Sequence, residues 1–76
     1  MNDSISKNLF RSRFEHGTPR SLEYKQGVLY GLQRVIEEIE QTDCPYRVGT
    51  CQADAWFAGN DEGRRLGLSH LETIFE

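Results

Sequence analysis

Cys44 and Cys51, His16 and His70, and the carboxylates Asp54, Asp61 and Glu62 are the side chains of this 76-residue chain that could support metal, nucleophilic or acid–base chemistry. Zinc sites take Cys and His at short fixed spacings. Here six residues lie between the two cysteines and both histidines are remote in sequence, so no metal and no cofactor is expected. No Ser, Cys or Thr stands in a recognisable relation to a base. No G-x-x-x-x-G-K-[ST] run is present to cradle phosphate. The three carboxylates read most simply as solvated charge. Two cysteines make no disulfide framework, and free thiols are expected. The chain is not expected to be an enzyme, and no residue is assigned a catalytic role.

Charge offers a different kind of chemistry. Residues 1–20 hold Lys7, Arg11, Arg13 and Arg20 against Asp3 and Glu15, whereas the remainder holds five cations against ten carboxylates. The formal net charge is −3. A basic arm on an acidic body suits an anionic partner reached through the arm, with those four cations as phosphate contacts. Glu37, Glu38, Glu40 and Asp43 form the opposite kind of surface. They suit docking onto a basic protein, or simply a solvated face.

The elements that position these groups follow from periodicity. Residues 1–17 read as a basic arm or a short helix with Leu9, Phe10 and Phe14 on one face, broken by Gly17. Residues 18–76 read as one helical domain. Thr18 is a suitable N-cap and Pro19 suits a first helical position. From there to about residue 41, Leu22, Leu29 and Ile36, with Leu32 and Ile39, recur at heptad-like spacing, flanked by Val28 and Val35. The pattern predicts a helix roughly 33 Å long at 1.5 Å per residue. Pro45 and Gly49 mark a loop. A second helix is expected over about 52–66, and Ser69 would cap a last short helix that buries Leu71, Ile74 and Phe75. No apolar run reaches the roughly 18 residues of a membrane span, and no secretory pattern opens the chain. The cytoplasm is the expected compartment.

Glycine placement supplies the tertiary expectation. Ala55, Gly59, Gly63 and Gly67 recur every fourth residue, although glycine costs a helix roughly 1 kcal/mol against alanine. Gly27 and Gly31 repeat that spacing earlier. Small residues so placed let helices approach closer than the usual 8–10 Å. The expected fold is therefore all-α: an antiparallel two-helix pair, glycine face to glycine face, with a long first helix and short helical turns at the termini. Trp56 would sit over the junction and Cys44-Pro45-Tyr46 would form the corner. The first helix outruns a second of about 15 residues, which leaves apolar surface that a homodimer would cover. Support of that kind matters because so short a chain buries only about 60% of its unfolded surface.

Gly27-x-x-x-Gly31, then Cys44-Pro45-Tyr46, then Trp56-Phe57-Ala58-Gly59 followed by Glu62 resembles the ribosome modulation factor family over about residues 23–66. That family also takes in small plasmid and phage proteins. The resemblance implies a two-helix protein that binds the small ribosomal subunit and silences translation under stress. Gly27, Gly31, Pro45, Tyr46, Trp56 and Gly59 match the family pattern, mostly as fold determinants, while Gly63 is structural through the glycine spacing alone. Tyr46 and Arg47 are the loop residues it would turn toward a partner. This chain departs from the family in being acidic, in a longer linker before Cys-Pro-Tyr, and in having Asn60 where a second aromatic is frequent. An acidic protein-binding inhibitor or adaptor, without RNA binding and of phage or mobile-element origin, is the alternative on the same fold.

Overall fold

In a computed structural model, residues 5–15, 17, 19–40 and 43–75 are described, the last two by their backbone alone. They form three α-helices and, among the described residues, no strand: α1 (Ile5–Phe14), α2 (Leu22–Ile36) and α3 (Cys51–Phe75).

α1 is a packed helix. Leu9, Phe10 and Phe14 are all partly buried, and the Phe10 and Phe14 rings lie 5.1 Å apart. Gly17, at φ +72°, closes the element, its N–H donating to the Phe14 carbonyl at 3.1 Å. Left-handed backbone there favours glycine.

The long first helix of the sequence pattern is shorter at both ends. The expected cap, Thr18, lies outside the described residues, but the helix begins later, at Leu22. Ser21 is its N-cap, with extended backbone and Oγ accepting the Tyr24 N–H at 3.2 Å. Pro19 therefore precedes the helix instead of opening it. At the other end the expected limit, residue 41, also lies outside the described residues, and the helix stops at Ile36. Glu38 takes φ +55°, and the Glu37 and Ile39 amides both turn back to the Gln33 carbonyl. Glu37 and Glu38 at the negative end of the macrodipole disfavour continuation. Ile39, which continued the apolar stripe in sequence, is half exposed beyond the helix.

The two expected C-terminal helices are one. Thr50 caps α3, its Oγ1 accepting the Ala53 N–H at 3.2 Å and donating to the Arg47 carbonyl at 2.6 Å. The helix then runs 25 residues, straight through Gly67. A side-chain carbon at Gly67 would meet Val35 at 3.0 Å, so the bare backbone is used for packing and need not break the helix. Ser69 is interior to α3, its carbonyl accepting the Thr73 hydroxyl at 3.1 Å. Leu71 is partly buried, while the side chains of Ile74 and Phe75 lie outside those described.

The glycine faces do meet, but the pair is parallel, not antiparallel. A Cβ on Gly27 would overlap the Trp56 carbonyl, and one on Gly31 the Asn60 carbonyl. Reciprocally, Gly59 faces the Tyr24 carbonyl and Gly63 the Val28 carbonyl. Residue numbers rise together along both helices, from Tyr24 beside Gly59 to Val35 beside Gly67. One offset relates Tyr24 to Trp56, Gly27 to Gly59 and Gly31 to Gly63, giving the interlock a local two-fold character. Each carbonyl lies where a glycine Cα–H points, the arrangement of Cα–H···O contacts between helices. Parallel pairing requires the chain to return to the start of α2. Residues 43–50 lead into the start of α3 beside the start of α2, so Cys44-Pro45-Tyr46 is part of a crossover and not a corner. The Tyr46 hydroxyl fastens the crossover by donating to Gln26 Oε1 at 2.5 Å.

The core is small: Val28, Leu32, Ala53 and Trp56, with the seam glycines. Ala53, not the half-buried Ala55, extends the seam. Trp56 packs against Tyr30 and Phe57, with ring centroids 6.0 and 5.4 Å away. α1 lies antiparallel to α2, with Ser6 beside Glu37 and the Phe14 ring beside Lys25. The helix that outruns its neighbour is α3, the reverse of the expectation behind a dimer.

Candidate functional site

Arg13, Arg20 and Tyr24 gather around Glu62. Arg13, near the end of α1, donates from Nε to Glu62 Oε2 at 2.6 Å and from Nη2 to Oε1 at 3.4 Å. The Tyr24 hydroxyl, from the first turn of α2, donates to the same Oε1. Arg20 lies over the Tyr24 ring at 4.5 Å, while Arg13 and Lys25 lie over the Phe14 ring at 4.8 and 5.5 Å. Three helices and the α1–α2 connection thus contribute to one basic and aromatic cluster around a single carboxylate.

Local sequence explains the convergence. Tyr24 and Glu62 flank the seam where Gly59 and Gly63 hold the two backbones together, which brings their side chains within hydrogen-bonding reach. Burial would raise the Glu62 carboxyl, but the Tyr24 hydroxyl, the Arg13 guanidinium and the more distant Arg20 outweigh it and hold it below its ordinary value. Burial, the bond to Glu62 and its negative charge push the Tyr24 hydroxyl up. Both shifts favour one state, an ionised carboxylate accepting a hydrogen bond from a neutral phenol.

A second carboxylate fastens the other end of α1. Glu37 accepts the Ser6 N–H at 3.2 Å and the Ser6 hydroxyl at 2.8 Å, placing negative charge at the positive end of α1. Ser6 is fully buried there. Glu37 is therefore engaged within the protein, whereas Glu38, Glu40 and Asp43 are exposed.

Of the cations expected to contact a partner, Arg13 and Arg20 come together at Glu62. Lys7 and Arg11 are exposed along α1, with Lys7 next to Ser6 at the far end. Tyr46 and Arg47 are on the crossover, Tyr46 held to Gln26 and Arg47 exposed. Gly27, Gly31, Gly59 and Gly63 make the interlock, Trp56 is buried beside it, and Pro45 is exposed on the crossover.

Sequence reasoning missed Tyr24 and Glu62 as partners. Glu62 read as solvated charge like Asp54 and Asp61, which are exposed, yet its side chain retains only 15% exposure. The available signal was its position next to Gly63, on the edge of the close-packed seam. Cys44 and Cys51 are free thiols. Among the described residues no group of three His, Cys, Asp or Glu could hold a metal ion, and no helix is long and apolar enough to cross a membrane. No family model, no curated protein and no solved structure matches this chain.

Proposed function

We propose that the chain is a small non-enzymatic regulatory protein that binds the small ribosomal subunit in the cytoplasm and modulates translation under stress, as its resemblance to the ribosome modulation factor family implies. One observation carries the reading. Gly27, Gly31, Trp56 and Gly59, residues that support the resemblance, belong to one packing unit, and Tyr46 ties the Cys-Pro-Tyr crossover to it through Gln26. Their shared order and spacing thus have a common physical cause in the interlock. The cluster of Arg13, Arg20 and Lys25 beside Tyr24 and Phe14 supplies cations and aromatic faces of the kind that bind RNA backbone and bases. On an acidic body such binding depends on a few contacts and weakens steeply with salt. Sedimentation of the protein with small subunits in a low-salt gradient, and its release as salt rises, is the expected result. Recovery wholly at the top of the low-salt gradient would sink the proposal.

The exposure of Glu38, Glu40 and Asp43 favours a second reading, an acidic adaptor that docks onto a basic protein. Its test is capture of partners from host lysate with and without nuclease. A protein retained after nuclease treatment, and lost with Glu38→Lys plus Glu40→Lys, would support it. Loss of all partners on nuclease treatment would refute it.

A further inference from the structure

Glu62 is bound as a ligand would be. Its carboxylate receives two guanidinium N–H groups from Arg13 and the Tyr24 hydroxyl, with Arg20 stacked on the same tyrosine. Lys25 shares the Phe14 ring with Arg13. Arg13 and Arg20 thus both act on the Glu62 carboxylate, with Lys25 nearby on the Phe14 ring. A guanidinium fork beside a hydroxyl donor suits a phosphate oxygen pair as well as it suits a carboxylate. The cluster is also open: the Arg13 side chain keeps 28% of its exposure, and Arg20 is exposed. An external anion can reach these donors without unfolding the helix pair.

We infer that Arg13, Arg20 and the Tyr24 hydroxyl form a phosphodiester-binding site that Glu62 occupies in the free protein, and that RNA backbone binds there by displacing the Glu62 carboxylate. The choice of RNA as the source of phosphate rests on the ribosome reading. Exchange would have a structural effect, since Arg13–Glu62 ties the end of α1 to α3. Binding would thus loosen α1 at Arg13 while Glu37 keeps hold of Ser6.

The test uses the full chain and a short fluorescein-labelled single-stranded RNA, read by anisotropy over a salt series. Glu62→Gln keeps a hydrogen-bond acceptor for Tyr24 and removes the competing charge. It should tighten RNA binding roughly two- to fivefold, the scale of one partly exposed ion pair. Adding Arg13→Gln to Glu62→Gln should cancel the gain. Unchanged or weaker binding by a natively melting Glu62→Gln protein would overturn the inference, as would an equal gain toward poly-glutamate. If Glu62→Gln does not fold, the Arg13 Nε–H resonance of the wild-type chain decides: it should shift on adding RNA, and a fixed signal overturns the site. A gain in RNA affinity without co-sedimentation would remove the ribosome as partner and leave the site standing. Co-sedimentation with no gain would do the reverse.

Discussion

The carbonyl oxygen of Val28 occupies the space that a side chain at Gly63 would need. The same relation holds between Tyr24 and Gly59, Trp56 and Gly27, and Asn60 and Gly31. In each case the obstacle is helix backbone, which cannot rotate away as a side chain could.

Alanine at Gly27, Gly31, Gly59 or Gly63 is therefore expected to cost about 3 kcal/mol or more, the upper end for overpacking, despite the roughly 1 kcal/mol that alanine returns in helix propensity. Gly67→Ala meets only side chains, those of Val35 and Ile36, and should stay within about 1 kcal/mol of wild type. Thermal melts followed by circular dichroism would rank them, and a tolerated Gly63→Ala would contradict the interlock.

Glu38 sits in left-handed backbone without being glycine. Glu38→Gly should stabilise the fold by about 0.5–1 kcal/mol, because a side chain in that conformation costs about 1–2 kcal/mol and glycine's extra freedom in the unfolded chain returns part of it. The midpoint of urea unfolding should rise with no change in slope. A lower midpoint would show that the carboxylate of Glu38 matters more than its backbone.

The acid limb of stability should depend on Glu62. Its folded value is depressed, so its contribution is complete above the ordinary value of 4.5 and is lost as pH falls through the lower folded value. Glu62→Gln should flatten that decline. At the alkaline end Tyr24 is raised, so its contribution is complete below 10.0 and falls away above it. Tyr24→Phe should remove that dependence. Unfolding free energies measured across pH for the three proteins would check both signs.

Ser6→Ala and Glu37→Gln should each cost about 1 kcal/mol, the ordinary worth of a helix-terminal hydrogen bond. The double variant should lose much less than their sum, because the two residues share one interaction. Amide exchange should speed up in α1 before α2 or α3. Full additivity would mean that the two side chains act separately.

Much of the interlock was legible because glycine in a helix needs a reason, and Gly27, Gly31, Gly59 and Gly63 share a spacing. Direction was not legible: small residues on two faces permit either orientation, and only a long-range contact such as Tyr46 to Gln26 distinguishes them. The limits of α2 were misread because Ile36 and Ile39 continue an apolar repeat, while Ser21 and Glu38 act through backbone geometry. The cluster at Glu62 depends on long-range neighbours, Arg13 and Tyr24, that no local pattern connects to it. Ser6 was invisible for the same reason, since its partner Glu37 lies across the α1–α2 contact.

α3 carries three notches, Gly59, Gly63 and Gly67, for the two on α2. Sliding α3 by one helical turn, about 5.4 Å, would bring Gly63 to the Tyr24 carbonyl and Gly67 to that of Val28. The backbones alone would accept either position. The shift would put Asn60 where Trp56 is now buried, bring Leu71 to the place Gly67 holds against Val35, and carry Glu62 away from Arg13. Register is therefore chosen by one indole, one absent side chain and one ion pair, while the glycines set only how near the helices come.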